Sequence, residues 1–141
     1  MLKVLLAVDG SDSASRAVAY AIKRAPAFKD GFQVHLINVQ PSLHGSVSAF
    51  IDAAQIKQYH QEEGMKVLLP ARGQLDAAGV SCLTHLFVGE PAEVIARLAK
   101  DLACDEIMLG TRGLSGISGL LVGSVATKVV HLADVPVLLI K

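Results

Sequence analysis

Five short apolar segments alternate with longer amphipathic segments along the chain. The apolar segments are typical of parallel strands buried on both faces of a sheet, and they cover residues 2–8, 33–39, 80–88, 106–109 and 135–140. The amphipathic segments repeat apolar residues at helical spacing, for example at Ala14, Ala17, Val18 and Ala21. This alternation predicts an α/β fold with a single open five-stranded parallel sheet and helices on both faces. We take 3-2-1-4-5 as the strand order, in which the first and fourth strands flank the point where the order reverses.

Two segments carry residues that interrupt regular structure. The helical segment over 49–78 contains Gly64, Pro70 and Gly73, which predict a break or kink near its middle. Pro136 lies near the start of the fifth strand, and it favours an edge of the sheet because proline cannot donate a ladder hydrogen bond. We therefore expect an interrupted second helix and a fifth strand at the edge.

Composition and charge narrow the classes of protein to consider. The 141 residues are 52% hydrophobic and 18% charged, which argues against disorder and predicts a single domain over 1–141. Thirteen Lys and Arg balance thirteen Asp and Glu, whereas a nucleic-acid partner usually demands a basic excess. No stretch approaches the roughly 20 apolar residues that span a bilayer, and the N-terminus does not resemble a signal peptide. We expect a cytoplasmic protein without nucleic-acid or membrane partners.

A glycine-rich stretch joins the fourth strand to the last helical segment. It reads Gly110-Thr-Arg-Gly113, followed by nine residues and then Gly123-Ser124. Glycine lets the backbone approach a ligand closely, and free N–H groups at the helix start favour an anion, so this order predicts a phosphate site. The stretch is neither a Walker A loop nor a GxGxxG fingerprint. Glycines that only pack the loop tightly against the sheet remain the alternative.

Asp9 follows the first strand, at the carboxyl ends of the strands, where the fourth strand also ends. In an open α/β sheet, ligands bind outside these carboxyl ends, at the point where the strand order reverses. The Asp9 carboxylate suits hydrogen bonds to ribose hydroxyls, an adenine amino group or a bound metal. It is equally suited to a turn ahead of the first helix, for which Ser11 is the predicted N-cap.

Taken together, these motifs resemble the universal stress protein A superfamily. The resemblance rests on the Gly-x2-Gly-x9-Gly-Ser pattern, which marks the ATP-binding branch of that family, and on Val8-Asp9-Gly10-Ser11 after the first strand. Gly89-Glu90-Pro91 and the ending over 134–141 add to it, so the resemblance covers essentially the whole chain. It implies a Rossmann-like fold that binds ATP, or ADP or AMP, together with Mg²⁺, and that acts in the stress response.

The resemblance also implies which positions hold the nucleotide. The nucleoside would contact Asp9 and the backbone of Val39, and the ribose and α-phosphate would lie against Leu109 and Gly110. The phosphates would be surrounded by Arg112, Gly113, Gly123, Ser124 and the amide of Val125. Members of the family typically dimerise through the last strand, here 135–140, and an apolar edge strand is indeed safest when it is paired.

One feature departs from the relatives, which often carry basic residues between the two glycine pairs. The spacer over 114–122 contains no Lys or Arg, so a triphosphate would rely on backbone amides, hydroxyls and Mg²⁺, and AMP or ADP can bind comparably. The leading hypothesis is a homodimeric binding module that signals by ordering 40–48 and the spacer. Alternatives are a slow ATPase or phosphotransferase in the same crevice, and a dimeric scaffold that binds no nucleotide.

Several other residues have two possible roles. His35 and His85 fall on strands that can be neighbours, where they are either ordinary strand histidines or a two-ligand metal site. His44 is either a solvated loop residue or part of a lid over the nucleotide. Glu90 is either a first-turn helix acid or a general base. The two cysteines, Cys82 and Cys104, are expected to be small buried hydrophobes, with a redox pair as the alternative.

Overall fold

The computed structural model describes residues 1–43, 50–112 and 122–141, and the elements named here lie within those ranges. The strands are β1 (Leu2–Ala7), β2 (Phe32–Gln40), β3 (Ser81–Val88), β4 (Glu106–Gly110) and β5 (Val137–Ile140). The helices are α1 (Asp12–Arg24), α2 (Ala53–Ala77), α3 (Pro91–Asp101) and α4 (Ser124–Leu132), and a 3₁₀ turn over Ala25–Ala27 follows α1.

All five strands lie parallel in one sheet with the order β3-β2-β1-β4-β5. The predicted fold class and strand order are therefore confirmed. Ala7 at the end of β1 pairs with Ile37 on one side and with Leu109 on the other, so three strands end side by side. Because β1 and β4 are neighbours but not consecutive, the winding of the chain reverses between them, and a crevice opens there.

Alternate strand residues point into two separate cores, one on each face of the sheet. Leu6 and Leu36 pack beneath α1 and α2, whereas Leu5 and Ile107 pack beneath α3 and α4, and all four are fully buried. Burial on both faces explains why the strands read as nearly continuous apolar runs. No helix within the described ranges is long and apolar enough to cross a lipid bilayer.

The second helix differs from the prediction. α2 begins after Asp52, whose side chain accepts the N–H of Gln55, while the Gln55 side chain accepts the N–H of Asp52. This reciprocal capping box fixes the helix start. The helix then runs from Ala53 to Ala77 with Pro70 inside it, so the predicted break near its middle is wrong.

Packing against the sheet explains why this helix continues. A Cβ on Gly64 would lie only 2.2 Å from Cδ1 of Leu86 in β3, so glycine serves a close approach of helix and sheet here. Pro70 lies on the exposed side, while Leu68 and Leu75 on the opposite side are fully buried. Burial of these two leucine side chains, before and after the proline, offsets the loss of the helical hydrogen bond that proline removes.

The fifth strand lies at the edge of the sheet, as Pro136 predicts, but it starts later than expected. It begins at Val137 rather than Val135. Pro136 still accepts the N–H of Ile107 through its carbonyl oxygen at 2.9 Å, but it has no N–H of its own to donate. Regular pairing therefore begins one residue after the proline.

Candidate functional site

A cavity of about 480 Å³ opens where β1, β2 and β4 end, at the reversal of the strand order. Its size falls within the range of small-molecule sites, and most of its lining is apolar with a few convergent polar groups. The wall combines the residues after β1, the end of β2, one face of α2, the end of β4 and the start of α4. All of these segments except α2 are ones in which the sequence predicts a ligand.

Asp9 lies on the cavity wall and also holds the turn that follows β1. Its Oδ1 accepts the N–H of Ser11 at 2.9 Å, and Gly10 between them adopts a φ of +85°. Ser11 caps α1 as predicted, because its Oγ accepts the N–H of Ala14 at 3.2 Å. Within the described residues, Asp9 Oδ2 has no hydrogen-bond partner. The turn role is therefore real, and one carboxylate oxygen is left for a ligand.

The end of β2 is fixed by polar side chains that the sequence does not single out. Asn38 is buried at 3% exposure, and its Nδ2 donates to the carbonyl oxygen of Val8 at 2.8 Å. Gln40 Nε2 in turn donates to Asn38 Oδ1 at 2.7 Å. These bonds tie the end of β2 to the end of β1 and flank Val39, which lines the cavity. A polar Asn inside an apolar strand is the signal that could have found them.

The end of β4 packs directly against the first turn of α1. Gly110 has no room for a side chain, since an added Cβ would lie 2.3 Å from Oγ and 2.7 Å from the carbonyl carbon of Ser13. Two residues later, Ser13 Oγ donates to the carbonyl oxygen of Arg112 at 2.7 Å and accepts the N–H of Arg112 at 3.2 Å. Ser13 is 2% exposed. Nothing in the sequence pattern distinguishes Ser13 from other helical serines.

The two ends of the glycine-rich stretch are joined through Thr111. The Thr111 carbonyl oxygen accepts the N–H of Gly123, and the Thr111 N–H donates to the carbonyl oxygen of Ile140 at 2.8 Å. The stretch is therefore anchored both to the start of α4 and to the end of β5. Gly113, most of the spacer and His44 lie outside the described residues.

Eight of the nine residues predicted to bind a nucleotide line this one cavity. They come from all three strand ends and from the first turn of α4, and they are Asp9, Val39, Leu109, Gly110, Arg112, Gly123, Ser124 and Val125. The ninth is Gly113. The lining also contains residues that the sequence does not predict, among them Asn38, Gln40, Glu63 and Val67. The two from α2, Glu63 and Val67, come from a helix that the motif does not include.

The described wall of the cavity is poor in positive charge. Its ionisable side chains are Asp9, Glu63 and Arg112, so carboxylates outnumber cations. Lys128, one turn into α4, does not change this balance, because its Nζ lies 3.4 Å from Glu90 Oε1. The wall therefore offers an anion one guanidinium group together with backbone amides.

Glu90 has a structural role at the start of α3. Its Oε2 accepts the N–H of Glu93 at 2.9 Å, which makes it the N-cap residue, just before the first turn in which the sequence places it. Pro91 follows as the first residue of the helix, as expected. Capping and the contact with Lys128 occupy the two carboxylate oxygens of Glu90, which disfavours a general-base role.

His35 and His85 lie side by side on neighbouring strands. His35 Nδ1 and His85 Nε2 are 3.0 Å apart, and the two rings stack at a centroid distance of 5.2 Å. Burial lowers the pKa of both imidazoles, and the charges of His85 and Lys3 lower the pKa of His35 further. Within the described ranges, no group of three or more metal-ligating side chains occurs. The contact of the two ring nitrogens and the lowered pKa values favour a pair of hydrogen-bonded neutral histidines, and the two-ligand metal site stays a prediction.

This pair predicts a pH dependence of stability. The lowered pKa values of His35 and His85 mean that, near and below pH 6.5, the unfolded chain binds more protons than the folded chain. The contribution of the neutral histidines to the free energy of unfolding is complete above about pH 6.5. It is lost as the pH falls from there through their lowered pKa values. We expect the urea concentration at the unfolding midpoint to decrease when the pH is lowered from about 7.5 to about 5.5. The variant His35→Leu/His85→Leu should show a clearly weaker dependence; an unchanged slope would assign the effect to other groups.

The two cysteines lie on opposite faces of the sheet. Cys82 is half-buried against the core beneath α1 and α2, whereas Cys104 is buried in the core beneath α3 and α4. Burial is the main cause that raises the pKa of both thiols, as for cysteines that act as small hydrophobes. Because the sheet separates them, they do not form the alternative redox pair.

Comparison with known proteins identifies the family. The model of the universal stress protein family matches residues 1–141. Universal stress protein YxiE of Bacillus subtilis is 33% identical over 147 aligned positions, which cover 99% of this chain and 98% of the relative.

Solved structures agree with this match. The hypothetical protein MJ0577 superposes with a TM-score of 0.86 at 26% identity, over 99% of this chain and 94% of its own. A universal stress protein in complex with cAMP superposes with a TM-score of 0.71 at 26% identity, over 99% and 97% of the two chains. On the family match and the identity to YxiE, this chain belongs to the universal stress protein family.

Proposed function

We propose that this protein binds an adenine nucleotide in the cavity at the ends of β1, β2 and β4, and that it acts as a nucleotide-dependent regulatory module in the stress response. The observation that carries the proposal is the convergence of eight motif residues on one cavity of about 480 Å³. The solved universal stress protein in complex with cAMP, 26% identical to this chain, supports an adenine nucleotide as the ligand.

The nucleoside would lie between the ends of β1 and β2. Asp9 Oδ2 would accept a hydrogen bond from a ribose hydroxyl or the adenine amino group, and the backbone of Val39 would contact the nucleoside. Leu109 and Gly110 would line the ribose and the α-phosphate; the missing side chain of Gly110 lets the end of β4 pack closely against the first turn of α1. The fixed positions of the three strand ends support this assignment.

The phosphates would be held by Arg112, Gly113, Gly123, Ser124 and the amide of Val125. The start of α4 suits this role, because Gly123 is its N-cap residue and free N–H groups at a helix start favour anions. We propose ATP as the ligand, with ADP and AMP as further occupants. Mg²⁺ would be carried by the phosphates and water rather than by a dedicated set of protein ligands.

We propose a binding role rather than catalysis as the main activity. A phosphotransferase or ATPase needs a group that orients the attacking water or hydroxyl and cations that stabilise the transferred phosphoryl group. Glu63 Oε1 accepts from Lys66 Nζ at 2.8 Å, and Asp9 is assigned to the nucleoside, with Oδ1 bonded to Ser11 and Oδ2 proposed to bind the ligand. Slow ATP hydrolysis remains the second candidate function. The sequence places a signalling output at residues 40–48 and 114–122, most of which lie outside the described residues.

Replacing one carboxylate tests the site. In Asp9→Asn, the amide oxygen can still accept the N–H of Ser11, so the turn is kept while the charged acceptor is lost. We expect nucleotide affinity to fall by about tenfold, because a hydrogen bond to a charged group is worth about 1.5–3 kcal/mol. Calorimetric titration measures the effect. Asp12→Asn, an exposed neighbour in α1, is the matched control, and equal affinities in both variants would contradict the assignment of Asp9.

We also propose a homodimer through the β5 edge, the region 135–140. β5 is an edge strand with four half-buried apolar residues, and edge strands of this kind are prone to pair with another chain. Leu139→Glu should shift the mass measured by light scattering from dimer toward monomer. Leu83→Glu, on the opposite edge strand, should leave the mass unchanged. An unchanged mass of a folded Leu139→Glu would refute this interface.

A further inference from the structure

The hydroxyl of Ser13 makes a two-way contact with the peptide backbone of Arg112. Oγ donates to the Arg112 carbonyl oxygen at 2.7 Å and accepts the Arg112 N–H at 3.2 Å. Ser13 lies in the first turn of α1 and is 2% exposed, whereas Arg112 is exposed. A buried side chain on one element thus fixes the main chain at the start of the glycine-rich stretch, 99 residues away in sequence.

The position of the Arg112 backbone matters because few other cations are near. Arg112 is the one cationic side chain in the described wall of the cavity. Lys128 is held by Glu90 at 3.4 Å and lies 3.9 Å from Glu93. The sequence over 113–123 contains no Lys, Arg or His. The side-chain positive charge available to a phosphate at this end of the cavity therefore depends on where Arg112 is held.

The contact between Ser13 and β4 is close. Gly110 approaches so closely that its missing Cβ would lie 2.3 Å from Ser13 Oγ and 2.7 Å from the Ser13 carbonyl carbon. A larger side chain at position 13 would meet this backbone, and alanine would lack both hydrogen bonds. Alanine adds no atoms at this position and so introduces no clash, and we expect the fold to tolerate the change.

We infer that Ser13 is a positioning residue for the phosphate-bearing end of the cavity, through which the site favours nucleotides over the corresponding nucleosides. The inference rests on the proposed nucleotide function. Ser13 does not line the cavity and so would act through the main chain of Arg112. Loss of its hydroxyl should therefore weaken binding of ligands that carry a phosphate and spare binding of adenosine.

Titration of AMP and adenosine against the wild-type protein, Ser13→Ala and Ser15→Ala tests this inference. For Ser13→Ala we expect AMP affinity to fall by about tenfold, since two hydrogen bonds are lost, and adenosine affinity to stay within about twofold. Ser15 lies on the exposed side of the same helix, so Ser15→Ala should match wild type with both ligands. Melting temperatures establish that all three proteins are folded.

The ratio of the two affinities separates positioning from a general structural effect. Equal losses for AMP and adenosine, or no loss for either, would overturn the role of Ser13 while the nucleotide function stands. If AMP does not bind the wild-type protein, the proposed function itself fails. A second comparison uses Arg112→Ala: in that background, Ser13→Ala should change AMP affinity by clearly less than in the wild type. A full tenfold loss there would show that Ser13 does not act through Arg112.

Discussion

Gly123→Val is expected to lose nucleotide binding, by at least about a hundredfold in affinity, while the protein stays folded. Gly123 lines the cavity as the N-cap residue of α4, and its φ of −69° and ψ of 164° are accessible to any residue. The backbone therefore tolerates valine, but the branched side chain occupies the space next to the first free amides of the helix. Calorimetry with ATP or AMP measures the loss, and circular dichroism measures the fold.

A glycine away from the cavity provides the control for this substitution. Gly73 lies on the exposed side of α2, where an added Cβ meets no atom within 4 Å. Gly73→Val should bind nucleotide as the wild type does. If a folded Gly123→Val binds ATP with unchanged affinity, the start of α4 is not part of the site.

Gly110→Ala is expected to have the largest effect on stability. Its Cβ would lie 2.7 Å from the Ser13 carbonyl carbon and 2.8 Å from the Ala14 backbone nitrogen. Both are main-chain atoms in the first turn of α1, so relief requires that the helix and β4 move apart. Overpacking of this kind costs about 3 kcal/mol at the upper end of the usual range, or about 10 °C in melting temperature for a chain of this size.

The same substitution elsewhere in the chain is a suitable reference. Gly73→Ala places a Cβ in open space within a helix, where alanine is favoured over glycine by up to about 1 kcal/mol. Its melting temperature should match or exceed that of the wild type. A Gly110→Ala protein that melts within about 2 °C of wild type would show that β4 and α1 are less closely packed than described.

Most of the architecture could be predicted because each strand has its own apolar signal. β1 and β4 are buried on both faces, so their residues are apolar in nearly every position, and glycine and proline mark the turns between elements. The alternation of elements predicts a parallel sheet, whereas the strand order is established by the pairing of the strands. The start of β5 was misjudged by two residues, because the apolar pattern extends across Pro136 while the hydrogen bonding does not.

The break predicted in α2 illustrates what local patterns miss. Gly64 and Pro70 carry the same helix-breaking signal in sequence, but Gly64 lies closely against the Leu86 side chain of β3, and Pro70 is exposed beside a buried stripe. Both explanations depend on contacts with the sheet, which are far away in sequence. Tertiary packing overrides helix propensity here.

The sequence predicts the motif residues of the candidate site. It does not predict the side chains that hold those residues in place. Asp9 and the glycines follow strands in the sequence, and the strand order then brings them together. Asn38 acts through one hydrogen bond to the backbone of Val8, and Ser13 acts through two hydrogen bonds to the backbone of Arg112, both in distant segments. Such partners become visible only once the chain is folded.

The central claim is that the cavity binds an adenine nucleotide, and calorimetric titration of the purified protein tests it most directly. Co-purified nucleotide is first removed and identified by absorbance and chromatography, and the protein is then titrated with ATP and AMP, with and without Mg²⁺. The account predicts binding with a dissociation constant of about 1 µM to 100 µM and one site per chain. No binding of either nucleotide, with none carried through purification, would contradict it and would favour a scaffold that binds no nucleotide.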